Sequence, residues 1–162
     1  MDINANRRLF AATAWAASLL MTAAILIQDA RADSKIFTAT NPEWKAECGS
    51  CHVAYPAQLL PAPAWRGIMS GLDKHFGADA SLDAASAAGI GAFLEKNAGS
   101  GRRVRGARTL RVTETPWFIR EHDEVPAAVW TNPAVKSPAN CAACHIAAES
   151  GDFRERNIRV PR

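Results

Sequence analysis

The chain has 162 residues but only four cysteines and four histidines, and beyond residue 32 its only methionine is Met69. Two pentapeptides use up every cysteine, so no thiol is left over for a disulfide framework. Nothing reads as a βαβ unit, which removes the usual setting of a thioredoxin-like CxxC pair. No segment alternates polar and apolar residues over enough length for a sheet, and no tandem repeat extends beyond the pentapeptides. Charge of one sign is not in excess either. Residues 33–162 hold 16 Lys/Arg against 14 Asp/Glu, since 3 of the 19 basic and 2 of the 16 acidic residues fall before them. That balance leaves no electrostatic footprint for nucleic acid.

The pentapeptides are Cys48-Gly49-Ser50-Cys51-His52 and Cys141-Ala142-Ala143-Cys144-His145. CxxCH is the attachment signature of c-type haem. Thiols three positions apart share one face of a helical turn, so both can add across the vinyl groups of one porphyrin. The adjacent imidazole then reaches the iron from beneath the ring. Zinc is the rival use of CxxC pairs, but structural zinc sites bring their halves closer in sequence than the 93 positions from Cys48 to Cys141. Two covalently bound haem c groups are therefore expected, attached through Cys48, Cys51, Cys141 and Cys144, with His52 and His145 as proximal iron ligands.

Compartment follows from the first 32 residues. Arg7 and Arg8 precede an apolar stretch from Leu9 to Ile27, and Ala30-Arg31-Ala32 offers a small-x-small cleavage site before Asp33. This is the layout of a secretory signal peptide over 1–32, cleaved after Ala32, and it places the protein in the periplasm without stable membrane insertion. The 19 residues from Leu9 to Ile27 are also long enough for an uncleaved anchor. Their alanine content and the interspersed Thr13, Ser18 and Thr22 favour cleavage. Arg-Arg-Leu-Phe at 7–10 resembles a twin-arginine signal only faintly, and haem attachment after translocation fits the general secretory route better. Two halves of roughly 60 to 70 residues, 33–100 and 101–162, would each be marginal in size and would lean on a cofactor for apolar volume.

Along the mature chain, Asn41 to His52 reads as a helix entering the first motif, with Trp44 available for packing. Tyr55-Pro56 and Leu59-Leu60-Pro61-Ala62-Pro63 read as a loop, since proline removes donors and clashes with a preceding turn. Trp65 to Phe76 is helically periodic, with Gly77 where a C-terminal cap belongs, and Leu82 to Asn97 is a third helix. Gly99 to Arg111, carrying Arg102, Arg103, Arg105, Arg108 and Arg111, reads as a linker or surface loop. Thr115 and Pro116 open a short helix through His122 that Pro126 ends. A last helix is predicted from Ser137-Pro138 to Gly151. The fold class is mainly α.

Each proximal histidine leaves one axial position open, and the two remaining histidines match that number. His75 lies 23 residues after His52, and His122 lies 23 residues before His145. Placed on a helix from Trp65 to Phe76, His75 shares an apolar face with Ile68 and Leu72, and His122 follows Phe118 by one turn. Both are candidate distal ligands. Methionine is the rival sixth ligand in small electron-transfer cytochromes, and Met69 is the one candidate; on such a helix it points about a third of a turn away from His75, which leaves it to core packing.

The chain resembles the dihaem cytochromes c of purple bacteria and other proteobacteria. The resemblance rests on Glu47 through Pro56, Leu59-Leu60-Pro61, His75-Phe76-Gly77, Thr115-Pro116-Trp117-Phe118 with His122, and Ala139 through His145 followed by Gly151-Asp152-Phe153. It implies two small haem domains, the N-terminal one class I cytochrome c-like and the C-terminal one helical and irregular around its haem. It also implies bis-histidine iron in both, with His75 and His122 as sixth ligands. Its members look like soluble electron carriers, some of them associated with a small oxygen-binding cytochrome c, so the resemblance implies redox protein partners, with such a cytochrome and a membrane electron donor as the candidates.

An electron carrier that is not an enzyme is the leading expectation, because filled axial positions deny substrate access to iron. A small dihaem peroxidase-like oxidoreductase would need an open site with acid/base groups over it. A haem gas sensor would need His75 or His122 to leave iron. Mass spectrometry of the denatured, periplasmically matured protein is expected to give the chain from Asp33 plus two haems; a free thiol, or one haem per chain, would contradict the double attachment.

Overall fold

Capping residues decide where the helices begin. Asn41 accepts a hydrogen bond from the Trp44 N–H at 2.9 Å and proline occupies the first turn, so α1 spans Pro42–Cys48. The computed structural model describes residues 36–161; the expected leader over 1–32 lies outside them. α1 stops at Gly49, so the helix expected to continue to His52 ends four residues early. Cys48 closes the helix, and Cys51 and His52 lie in the turn beyond it.

The proline-rich segment is more ordered than a loop. It holds a 3-10 turn at Ala57–Leu59, and α2, Ala62–Met69, starts inside it. Pro63 falls in the first turn of α2, where a missing N–H breaks no intrahelical bond. α2 also ends earlier than the periodicity suggested. Gly67, Ser70 and Gly71 are weak helix formers, and the Ser70 hydroxyl donates to the Gly67 carbonyl at 3.0 Å. A 3-10 turn at Leu72–Lys74 follows, with His75 as its C-cap rather than on the helix itself. Phe76 (φ 52°) and Gly77 (φ 106°) then reverse the chain in a tight turn, closed by the Ala78 N–H donating to His75 O at 3.1 Å.

Asp83 caps α3, Ala84–Lys96, through the N–H groups of Ala85 and Ser86. α3 is the backbone of the first half: α2 packs along it, and α1 meets it where Trp44 lies 5.2 Å from Phe93. Further on, Thr115 is fully buried and its hydroxyl accepts from the Phe118 N–H, opening α4, Pro116–Glu121. His122 caps α4. Pro126 ends nothing further; it opens α5, Ala127–Trp130.

The helix predicted from Ser137 to Gly151 does not form. Short 3-10 turns stand at Cys141–Ala143 and Ala148–Ser150 instead. The reason is tertiary. The Ile146 N–H donates to Asn157 O at 3.1 Å and the Arg159 N–H to Cys144 O at 2.8 Å, so the C-terminal segment claims backbone groups that a helix would use. Helix propensity, a few tenths of a kcal/mol per residue, is overridden. Among the described residues there is no strand, only isolated bridges between Ile36 and Asp152, His75 and Ala78, and His145 and Ile158.

The described residues form one compact unit. Its buried core joins Trp44, Leu60, Trp65, Ile68, Ile90 and Leu94 to Val112 and Phe118. Arg103, from the segment read as a linker, is buried, with its guanidinium 5.0 Å above Phe37 and 5.4 Å from Trp117. These are cation–π contacts. Phe37 is fastened to Gly151, whose carbonyl accepts from the Phe37 N–H at 2.8 Å.

Gly151 has φ 74°, and a Cβ there would stand 2.2 Å from Phe37 O. Gly151→Ala should therefore cost more than the roughly 1–2 kcal/mol of left-handed strain alone, read as a lowered midpoint in thermal or denaturant unfolding. A midpoint equal to the parent protein would contradict this close approach.

Candidate functional site

The first CxxCH motif opens onto a cavity of about 520 Å³. Cys48 reaches it from the last turn of α1, and Cys51 and His52 from the turn that follows. Its apolar wall is built by Leu60, Trp65, Ile68 and Leu94, buried side chains that α2, α3 and the proline segment hold in place. The Trp65 indole N–H donates to Ala57 O at 2.7 Å, which fixes that ring against the wall.

His75 lines the same cavity. Its ring lies 6.4 Å from that of His52, with an interplanar angle of 21°. A metal–imidazole bond is about 2 Å, and with a ring radius of roughly 1 Å at each end, two histidines on one metal have centroids roughly 6 Å apart. The spacing fits two imidazoles held by one metal. His52 Nδ1 lies 2.8 Å from Val53 O; a carbonyl only accepts, so Nδ1 carries the proton and Nε2 is left with the lone pair a metal needs. Burial, then the neighbouring His52 and Arg111, lower the pKa of His75, favouring its neutral, ligating form.

The second motif is arranged differently. His122, at the end of α4, lies 6.1 Å from His145, and their rings cross at 75°. An aromatic frame holds them: Phe118 stacks on His122 at 4.0 Å, Trp130 stands 6.0 Å from it, and Phe153 lies 5.1 Å from His145. His122 Nδ1 is 2.9 Å from Phe118 O, which again assigns the proton to Nδ1 and leaves Nε2 free of it. His145 is positioned from its backbone by the bridge to Ile158.

All four cysteines are unpaired with one another. Burial first, then Glu47, pushes the Cys48 thiol up to about 11, and burial does the same to Cys141, also to about 11. Neutral thiols are poor metal ligands. No group of three or more His, Cys, Asp or Glu side chains that could hold a metal ion occurs among the described residues. The donor set thus suits a group that brings its own equatorial ligands and asks the protein for two axial nitrogens. Facing imidazoles, apolar walls and paired thiols fit haem at both motifs.

The structure brings together His52 with His75 and His122 with His145. It leaves Met69 on the rim of the first cavity, with its Cγ 3.9 Å from where a Cβ on Gly91 would lie. The helical argument that set Met69 apart from His75 does not apply, because α2 ends at Met69 itself. Two residues went unmarked in the sequence. Trp130 frames the second site from α5, a helix the sequence reading did not anticipate. Tyr55 stacks on His52 at 4.7 Å, and burial and Cys141 raise its phenol far above the ordinary value. Only its spacing of three residues from His52 hinted at that contact.

Comparison with known proteins bears directly on this arrangement. The family profile of dihaem cytochrome c matches residues 44–153. A diheme cytochrome c from Rhodobacter sphaeroides superposes with a TM-score of 0.67 at 46% identity, over 72% of this chain and 99% of that one. A diheme cytochrome type c from Shewanella baltica OS155 gives 0.66 at 44% identity, over 75% and 93%. A second crystal structure, of DHC purified from Rhodobacter sphaeroides, gives 0.64 at 46% identity, over 72% and 100%. No match was found among the curated proteins.

Proposed function

This chain belongs to the dihaem cytochrome c family, and from that membership we propose a periplasmic electron carrier whose two haems are each held by two histidines. The observation that carries the reading is the imidazole spacing, 6.4 Å between His52 and His75 and 6.1 Å between His122 and His145. The haems would supply one-electron chemistry; His52, His75, His122 and His145 would hold them, and the apolar wall of the first cavity would keep water from its haem. Imidazole in both axial positions leaves iron no room for substrate, which favours a carrier over a peroxidase-like catalyst or a gas sensor. It also holds the potential below that of a His/Met haem, since methionine raises it. The order α1, proline segment, α2, α3 supports a class I-like half over 33–100, and the 3-10 turns of 101–162 support an irregular second half.

The ligand planes make this reading testable. Parallel imidazoles donate to the same iron d orbital and split it from its partner; crossed imidazoles donate to both and leave them nearly degenerate. With angles of 21° and 75°, the oxidised protein should give two distinct low-spin signals in electron paramagnetic resonance, a rhombic one from the first haem and a strongly anisotropic one from the second. His75→Ala should remove only the rhombic signal and His122→Ala only the other, each opening its iron to carbon monoxide. Met69→Leu should leave both signals intact. Rapid carbon monoxide binding to the unaltered reduced protein would defeat the carrier reading.

Partner docking is a second part of the proposal. Arg102, Arg105 and Arg108 are exposed, on a segment whose five arginines contrast with 11 Lys/Arg against 14 Asp/Glu in the rest of 33–162. Such a positive pole would steer an acidic redox protein, with screening over about 8 Å at physiological salt. Arg103 packs on Phe37 and Trp117, and Arg111 lies over Phe76 at 4.2 Å and beside Glu114. Replacing Arg102, Arg105 and Arg108 by Gln should slow the bimolecular electron-transfer rate at low ionic strength and flatten its salt dependence, with both potentials unchanged. An unaltered stopped-flow rate across a salt series would remove the docking role.

A further inference from the structure

Tyr55 is the only tyrosine in the chain, and it belongs to neither ligand set. Its ring stacks on that of His52 with centroids 4.7 Å apart and an interplanar angle of 28°. Its hydroxyl donates to the Ala139 carbonyl at 2.5 Å, across 84 positions of sequence. Ala139 stands two residues before Cys141, and the Cys141 Sγ lies 3.8 Å from that same carbonyl oxygen. A continuous series of contacts therefore joins the proximal imidazole of the first site to an attachment sulfur of the second: imidazole, phenol ring, hydroxyl, carbonyl, sulfur. Each step is a stacked contact, a bond or a hydrogen-bond-range approach.

We propose that Tyr55 is the bridge through which the two haem sites are electronically coupled. The inference rests on the electron-carrier reading. Tunnelling falls off more slowly through bonded and contacting atoms than through open space, so a ring against His52 that ends in a hydrogen bond next to Cys141 offers a favourable route. In one exchange a single electron leaves ferrous iron at one site and reduces ferric iron at the other. Tyr55 keeps its own electrons and its proton throughout, and no further reactant is needed. A purely structural clamp would use the same hydrogen bond but would show itself in stability and ligation rather than in exchange.

The test uses the doubly haem-loaded protein. Electron paramagnetic resonance of the unaltered protein first establishes two low-spin haems, so failure of the carrier reading would be seen separately. In half-reduced samples, exchange between haem methyl resonances gives the inter-site rate. Tyr55→Phe keeps the ring and removes the hydrogen bond; the rate should fall several-fold, and further in Tyr55→Leu, with both potentials and both resonance signals unchanged. Because the chain has one tyrosine, fluorotyrosine incorporated throughout labels Tyr55 alone without changing the fold. Its fluorine resonance should shift on oxidation of either haem. The proposal is overturned if Tyr55→Phe exchanges at the parent rate, if exchange slows only together with altered ligation signals, or if the fluorine resonance answers to one haem only.

Discussion

The arrangement on which the rest of this structure depends is a pair of imidazoles about 6 Å apart, made twice, nearly parallel at one site and crossed at the other. The chain that holds them has little regular structure to offer. The α-helices among the described residues have 7, 8, 13, 6 and 4 residues, against a mean of about 11–12 in globular proteins. Helices this short do not persist by themselves. They persist because their apolar faces converge on one buried core, and the wall of the first cavity, which His52 and His75 also line, is part of that core.

The two sites meet the same requirement by different means. The first is built from helices: α1 delivers the thiol, α2 and α3 supply Ile68 and Leu94, and the turn closed by Gly77 presents His75. The second is built from aromatic side chains on short turns, with Phe118, Trp130 and Phe153 around two histidines. The helical site aligns its rings at 21° and the aromatic one crosses them at 75°. One chain therefore holds its two histidine pairs in different mutual orientations, and the difference originates in backbone geometry rather than in residue type.

Local signals in the sequence were read well, and tertiary ones were not. Thr115 with Pro116 starts α4 as anticipated, and the third predicted helix, Leu82 to Asn97, is α3 with two residues trimmed from its start and one from its end. The haem motifs were legible because their chemistry is written in five consecutive residues. The helix expected over 137–151 failed because Asn157 and Arg159, more than ten residues from the motif, take the hydrogen bonds of Ile146 and Cys144. Periodicity carried α2 too far because Ile68, Leu72 and His75 share a wall without sharing a helix. The arginine segment was read as a linker or surface loop; the burial of Arg103 between Phe37 and Trp117 depends on residues 66 and 14 positions away. Tyr55 was hidden for the same reason, since its partner is Ala139.

Phe37 is a core residue, yet its backbone is secured by Gly151, 114 positions later. A chain is made from its N-terminus, so Phe37 and the first CxxCH motif exist long before Gly151 does, and until then one edge of the core has nothing to close against. The motif at Cys48 is complete well before Phe37 gains its backbone partner, whereas the motif at Cys141 begins only ten positions before Gly151. Closure of this core therefore waits on its most distant contact.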